Sequence, residues 1–134
     1  MMGEKIGEER GRITGTRVLA CEGAGMKIET SFQTSGTVLG SESRNTGTYW
    51  SVARPDGTIY GEGQGIVTGR NGESMTWKGQ GVGQPKPDGA VSFRGSLYYS
   101  AQTPNWTRLN KVAVMFHWDV DKDGGAHSEF YEWK

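Results

Sequence analysis

Apolar and polar residues alternate along much of this chain with a period of two residues. The clearest example is the segment 26–33, where Met26, Ile28, Thr30 and Phe32 alternate with Lys27, Glu29, Ser31 and Gln33. This period is typical of a β-strand with one buried face. Further strand-like segments cover residues 12–21, 37–39, 45–53, 58–69, 107–120 and 126–133. Helical periodicity is not sustained over two turns anywhere, so the pattern predicts an all-β protein.

Short turn motifs separate these segments and predict which residues face each other. Arg54-Pro55-Asp56-Gly57 and Lys86-Pro87-Asp88-Gly89 combine proline and glycine as a type I turn with a following bulge requires. The first turn places Val52 opposite Tyr60 and Trp50 opposite Glu62. The second places Trp77 opposite Tyr99, Gly79 opposite Leu97 and Gly83 opposite Phe93.

Two other turns leave the register open. Asn71-Gly72 predicts Ile66 opposite Trp77 if the turn has two residues, and a pairing shifted by one if it has three. The segment 121–124 predicts His117 opposite Glu129 if it forms a bulged type I turn. A two-residue turn would instead place His127, Glu129 and Tyr131 beside Trp118, Phe116 and Val114.

Alternating glycines mark the middle of the chain and favour a strongly coiled sheet. Gly61, Gly63 and Gly65 form one run, and Gly79, Gly81 and Gly83 form another. Glycine permits the bend, and a large residue on the facing strand fills the space it leaves. We therefore predict an antiparallel up-and-down β-barrel of about eight to ten strands, because closure removes exposed sheet edges. A two-sheet β-sandwich is the alternative. Residues 1–10 are expected to form a flexible charged arm, and residues 11–134 a single domain.

The glycine spacing and the successive hairpins resemble the calycin or lipocalin type of barrel, and in particular the barrel of allene oxide cyclase and related bacterial domains of unknown function. The residues that carry the resemblance are Gly61, Gly63, Gly65, Gly69, Gly79, Gly81, Gly83 and Gly95, with the closing strand pair. It concerns the architecture of residues 11–133 and transfers no catalytic residue. It implies a barrel that holds a small hydrophobic ligand, often in a homodimer or larger homo-oligomer.

Charge and composition narrow the classes of partner. Fifteen basic and fifteen acidic residues give a net charge of zero, which argues against nucleic acid or an anionic membrane as partner. A single cysteine excludes an internal disulfide framework and, with a charged N-terminus unlike a secretory signal, predicts a cytoplasmic protein. The segment 119–124 begins like a calcium loop, but Phe130 stands where the bidentate glutamate would be, so a polar hairpin turn is favoured. No metal or cofactor is expected.

Two sets of residues are candidates for function. The proposed ligand-binding set is Trp50, Tyr60, Glu62, Gln64, Trp77, Phe93, Leu97 and Tyr99. The proposed acid–base set is Glu62, His117, Glu129 and Tyr131, since a carboxylate beside an imidazole tunes proton transfer. Exposed polar strand faces would explain the same residues without any chemistry. Three hypotheses result, namely a small-molecule-binding barrel, a cofactor-free isomerase or cyclase, and a structural or oligomerisation domain with a filled barrel.

Overall fold

The protein folds as a closed antiparallel β-barrel. The structure is a computed structural model and describes residues 2–21, 23 and 25–134. Its strands are β1 (Met2–Val18), β2 (Lys27–Val38), β3 (Ser41–Ala53), β4 (Ile59–Thr68), β5 (Ser74–Pro85), β6 (Val91–Ala101), β7 (Val114–Val120) and β8 (Gly125–Trp133). Each strand pairs with its neighbours in sequence, and β1 also pairs with β8. Two short 3₁₀ turns, Arg70–Gly72 and Thr107–Lys111, lie in the connections. The predicted fold class is confirmed, and the β1–β8 pairing excludes the two-sheet sandwich.

Three predicted boundaries are wrong. Residues 2–10 are not an arm but the first part of β1, where Glu8 pairs with Glu129 of β8. Their alternation is obscured by charge and by irregular pairing on either side of Lys5. The short strand predicted over 37–39 is the end of β2, and the strand predicted from residue 107 begins only at Val114.

The connection between β6 and β7 covers one end of the barrel. Trp106 and Leu109 in this connection are completely buried, and the Trp106 indole donates to the carbonyl oxygen of Val38 at 3.0 Å. Thr103 accepts a hydrogen bond from the backbone N–H of Ser74 on β5. The connection therefore links the ends of β2 and β5, and its apolar side chains close the core at this end.

The glycine runs lie on the inner wall, as the coiled-sheet interpretation predicts. Gly61 pairs with Gly81 and Gly63 with Gly79 across β4 and β5. A methyl group at Gly83 would come within 2.7 Å of the Phe93 ring. The glycines thus make room for aromatic rings that reach across the barrel.

The described residues include no helix that is long and apolar enough to cross a membrane.

Candidate functional site

The turn between β4 and β5 decides which side chains enter the barrel. Asn71 and Gly72 both have positive φ, and the observed pairing sets Ile66 opposite Thr76 and Gly65 opposite Trp77. The two-residue pairing is therefore wrong, and the three-residue alternative is observed. A shift of one residue moves every side chain of a strand to the other face, so the observed register sets Trp77 on the same face as Gly65 and the other inward glycines of β4.

The proposed ligand-binding residues do not share one face. Trp77, Phe93, Leu97 and Tyr99 are buried inside the barrel. The other four lie on the outer wall. Tyr60, Glu62 and Gln64 alternate with the inward glycines of β4. Trp50 lies on β3 and pairs with Glu62. The pairing of Trp50 with Glu62 is confirmed, but both side chains lie on the outer wall, and of the two residues only Glu62 borders the cavity.

The outer half of that set forms its own polar and aromatic cluster. The Tyr60 hydroxyl donates to Glu62 Oε2 at 2.6 Å, and this bond raises the pKa of Tyr60. Trp50 packs edge-on against Tyr60 with ring centroids 5.8 Å apart, and the Lys27 ammonium lies 4.6 Å above the Trp50 ring. Glu62 is thus held by a tyrosine on the surface rather than by a group inside the barrel.

A cavity of about 60 Å³ lies inside the barrel and is partly open at its wall. Aromatic rings line most of it, including those of Phe32, Tyr49, Trp77, Phe93, Trp118 and Phe130. Pockets for drug-sized ligands are roughly 300–1,000 Å³, and one water occupies about 30 Å³ in the liquid. The interior is therefore largely filled, with room for a guest of only a few non-hydrogen atoms.

A buried carboxylate lies beside this cavity and was missed at the level of sequence. Glu9 is 1% exposed, and its Oε1 accepts from Thr34 Oγ1 at 3.1 Å and from Asn45 Nδ2 at 3.0 Å. Its Oε2 accepts from Ser43 Oγ at 2.6 Å. Within the described residues it has no ion pair with a lysine, arginine or histidine. Three neutral donors satisfy the carboxylate, as buried polar groups require.

Only a faint sequence signal pointed to Glu9. It shares the inward face of β1 with Gly11, and the two pair with Ser128 and Ala126 of β8. In the sequence this alternation is hidden, because Glu8, Arg10 and Arg12 on the other face are also charged.

Two further polar groups lie on the cavity wall. Ser128 Oγ is buried without a hydrogen-bond partner, and no other buried side-chain nitrogen or oxygen among the described residues lacks one. The Trp118 indole donates to the Tyr49 hydroxyl at 3.2 Å, and burial raises the pKa of Tyr49. Burial also raises the pKa of Tyr99, with a further contribution from the charge of Glu9.

The predicted acid–base residues of the last hairpin are brought together on the outer wall. His117 pairs with Glu129, which confirms the bulged-turn register. Glu129 Oε1 accepts from the Tyr131 hydroxyl at 3.2 Å and lies 3.8 Å from His117 Nδ1. Glu62 is not part of this group, since it lies on β4. The nearby segment 119–124 includes the β7–β8 turn, in which Asp121 accepts from the backbone N–H groups of Asp123 and Gly125.

Lys5, Glu8 and His127 complete the outer cluster. Lys5 Nζ lies 2.7 Å from Glu8 and 2.9 Å from Glu129, while His127 Nε2 lies 2.6 Å from Glu8. The Lys5 hydrogen bond, assisted by His127, lowers the pKa of Glu8 to about 2. Lys5 likewise lowers the pKa of Glu129, and burial raises that of Tyr131. Ligand atoms of Glu8, His127 and Glu129 lie within 4.8 Å of one another, so these residues are placed to hold a metal ion if Lys5 moved away.

Comparison with solved structures shows the same architecture in three bacterial proteins. A protein of unknown function from Clostridium acetobutylicum is 10% identical, with a TM-score of 0.83 and 98% of each chain covered. A conserved protein of unknown function from Rhodopseudomonas palustris is 12% identical, with a TM-score of 0.82, covering 98% of this chain and 97% of that one. A β-barrel-like protein from Acinetobacter baumannii is 10% identical, with a TM-score of 0.83, covering 100% of this chain and 96% of that one.

At these identities the likeness shows the fold alone. No family model matches the chain, and no curated protein matches it in sequence. The barrel architecture is thereby shared with uncharacterised proteins, and the relationship to allene oxide cyclase stays a prediction.

Proposed function

We propose that this protein binds one small molecule inside its barrel, in the cavity between the aromatic rings. The observation that carries the proposal is the buried Ser128 hydroxyl, which lines the cavity and lacks a partner. A buried polar group without a hydrogen bond costs about 1–3 kcal/mol. A guest that bonds to this hydroxyl would recover that cost and gain apolar contact with the surrounding rings.

The volume of the cavity sets the size of the guest. About 60 Å³ accepts a guest of only a few non-hydrogen atoms unless the rings move. Because Phe32 and Trp118 pack with centroids 4.5 Å apart, a larger guest would have to separate rings already in contact. The ligand proposed here is therefore smaller than a typical calycin-type guest.

Nuclear magnetic resonance of the tryptophan indole N–H groups provides the test. Trp77 and Trp118 line the cavity and each donates an indole hydrogen bond, so their signals report on its contents. Titration with methanol, acetonitrile and methylammonium should shift these two signals for at least one probe, and not that of Trp50. Ser128→Ala should weaken binding of the active probe about fivefold or more, from a lost hydrogen bond of about 1 kcal/mol.

The matched control is Ser100→Ala, which removes a serine hydroxyl from the exposed face of β6. It should leave probe binding unchanged. If none of the three probes shifts the Trp77 and Trp118 signals, the proposal is wrong and the filled structural barrel is favoured instead.

A second candidate is acid–base catalysis on the outer wall by His117, Glu129 and Tyr131. The observation in its favour is that Glu129 Oε1 lies close to both the tyrosine hydroxyl and the imidazole. It has less support than interior binding, because Lys5 already engages Glu129 and Glu62 lies on β4, away from the group. An isomerase or cyclase activity that Glu129→Gln and His117→Gln leave unchanged would exclude this group as its catalyst. A homo-oligomeric state and a cytoplasmic location also stay predictions.

A further inference from the structure

We infer that the molecule bound in the barrel is a small cation, an ammonium ion with few carbon atoms. This inference rests on the proposed function and adds the charge class of the ligand. It follows from the polarity of the groups around the cavity and not from its size.

The first observation is a buried carboxyl group in the wall that forms no ion pair with a lysine, arginine or histidine among the described residues. Glu9 is 1% exposed, and its three hydrogen-bond partners, Thr34, Ser43 and Asn45, are all neutral. Asn45 both bonds to Glu9 and lines the cavity. Protein, and not water, therefore separates the carboxylate from a charge that enters the cavity. Electrostatic interactions are stronger through protein than through water.

The second observation is that the donors around Glu9 are held in an arrangement that suits an anion. The Trp77 indole N–H can only donate, and it lies 2.9 Å from Asn45 Oδ1. Asn45 must therefore turn its amide NH₂ group toward Glu9, where it is a donor only. This fixed amide matches a carboxylate acceptor.

The third observation concerns the cavity surface. The faces of aromatic rings attract cations, and the rings of Phe32, Trp77 and Trp118 line the space. Ser128 lies directly across the β1–β8 pair from Glu9 and offers a free hydroxyl oxygen to an ammonium N–H. An anion would be repelled by Glu9, and a neutral apolar guest would leave the carboxylate without a counter-charge. A small ammonium ion satisfies all three features.

The experiment compares three probes of similar size by the indole signals of Trp77 and Trp118, at constant ionic strength with sodium chloride as the balancing salt. Methylammonium and methanol have the same number of non-hydrogen atoms but differ in charge, and formate supplies the opposite charge. The inference predicts that methylammonium binds at least tenfold more tightly than methanol and that formate does not bind. Glu9→Gln should abolish this preference, whereas Glu42→Gln, which removes a carboxylate from the exposed face of β3, should preserve it.

The possible results distinguish a failure of the cation assignment from a failure of interior binding. Methanol binding as tightly as methylammonium would overturn the charge assignment while leaving interior binding intact. A failure of methylammonium, methanol and acetonitrile alike would overturn both. If Glu9→Gln does not fold, the methylammonium-to-methanol ratio in the unaltered protein decides the assignment alone.

Discussion

At the scale of single residues, Trp77 connects the aromatic core to the buried polar network. Its ring lines the cavity, and its N–H fixes the Asn45 amide that in turn donates to Glu9. The inward position of Trp77 beside the glycines of β5 was predictable from the Lys86–Gly89 turn, because that turn pairs Trp77 with Tyr99. Its hydrogen-bond partner was not predictable, because Asn45 lies 32 residues away on a strand whose inward face is polar as well as apolar.

Trp77→Phe should lower the free energy of unfolding by about 1–3 kcal/mol through the lost hydrogen bond alone, in addition to the loss of ring volume. Asn45 Oδ1 would be left buried without a donor. Urea unfolding followed by circular dichroism measures the change. The control is Trp50→Phe on the outer wall, which should cost clearly less. Equal losses in the two variants would contradict the role given to the Trp77 N–H.

Glu9 shows most clearly what the sequence does not reveal at this scale. Five charged residues occupy positions 4–10 of the chain, and only Glu9 among them is buried. The distinction depends on the donors Thr34, Ser43 and Asn45, which β2 and β3 supply from distant positions. Because these distant donors are what allow the Glu9 carboxyl group to be buried, the residues next to Glu9 in the sequence do not indicate its burial.

At the scale of elements, the fit of β4 against β5 depends on glycine. An added methyl group at Gly65 would overlap the Trp77 indole, whose N–H is already held by Asn45. Neither the ring nor the backbone can move away without breaking a buried contact. The glycine run of β4 is therefore a steric requirement of the packed interior.

Gly65→Ala should destabilise the protein by about 1–3 kcal/mol, the usual cost of overpacking a core. Gly15→Ala is the matched control, since nothing lies within 4 Å of a methyl group there. The control should be neutral or stabilising by up to about 1 kcal/mol, because alanine restricts the unfolded chain. Chemical denaturation of both variants measures the difference, and a well-tolerated Gly65→Ala would refute the proposed clash.

Turn chemistry explains which strand registers were predictable. The Pro-Asp-Gly motifs at 55–57 and 87–89 specified their hairpins correctly, because proline and glycine restrict the turn to one geometry. Asn71-Gly72 is compatible with both two and three turn residues, and the choice decides whether Ile66 or Gly65 of β4 lies opposite Trp77. The composition of the predicted ligand-binding set depended on that ambiguity.

At the scale of the whole molecule, closure of the barrel depends on the pairing of β1 with β8. Lys5, Glu8, His127 and Glu129 form a charged group on the outside of this seam. The sequential order of the antiparallel strands was predictable from the sequence, because the alternation of residues and the turn motifs determine it. The pairing of β1 with β8 was not predictable, since residues 2–10, which make most of this contact, were expected to be a flexible arm.

The charged seam predicts an acid-sensitive contribution to stability. The pKa of Glu8 falls from 4.5 to about 2 in the folded protein. A carboxyl group with a lowered folded-state pKa stabilises the fold above its unfolded value, and that stabilisation is lost as the pH falls from 4.5 toward 2. Lys5→Gln should therefore reduce stability at pH 6 and lose its effect near pH 2. High salt should shrink the difference, because these side chains are partly exposed.

Thermal unfolding across this pH range measures the effect. Lys111→Gln, a change at an exposed lysine of the second 3₁₀ turn, is the control and should show no comparable dependence. A Lys5→Gln effect that is the same at pH 2 and pH 6 would contradict the assignment of the seam to charge pairing.

The two proposals together state that a small ammonium ion binds inside the barrel at Ser128 and not on the outer aromatic wall. A crystal structure determined after soaking in methylammonium tests this most directly, with bromide as counter-ion so that the anion is recognised by its anomalous scattering. Density for the cation is expected in the cavity, with its nitrogen about 2.7–3.2 Å from Ser128 Oγ. An interior without bound density, or a cation found only on the outer wall at Trp50 and Tyr60, would contradict it.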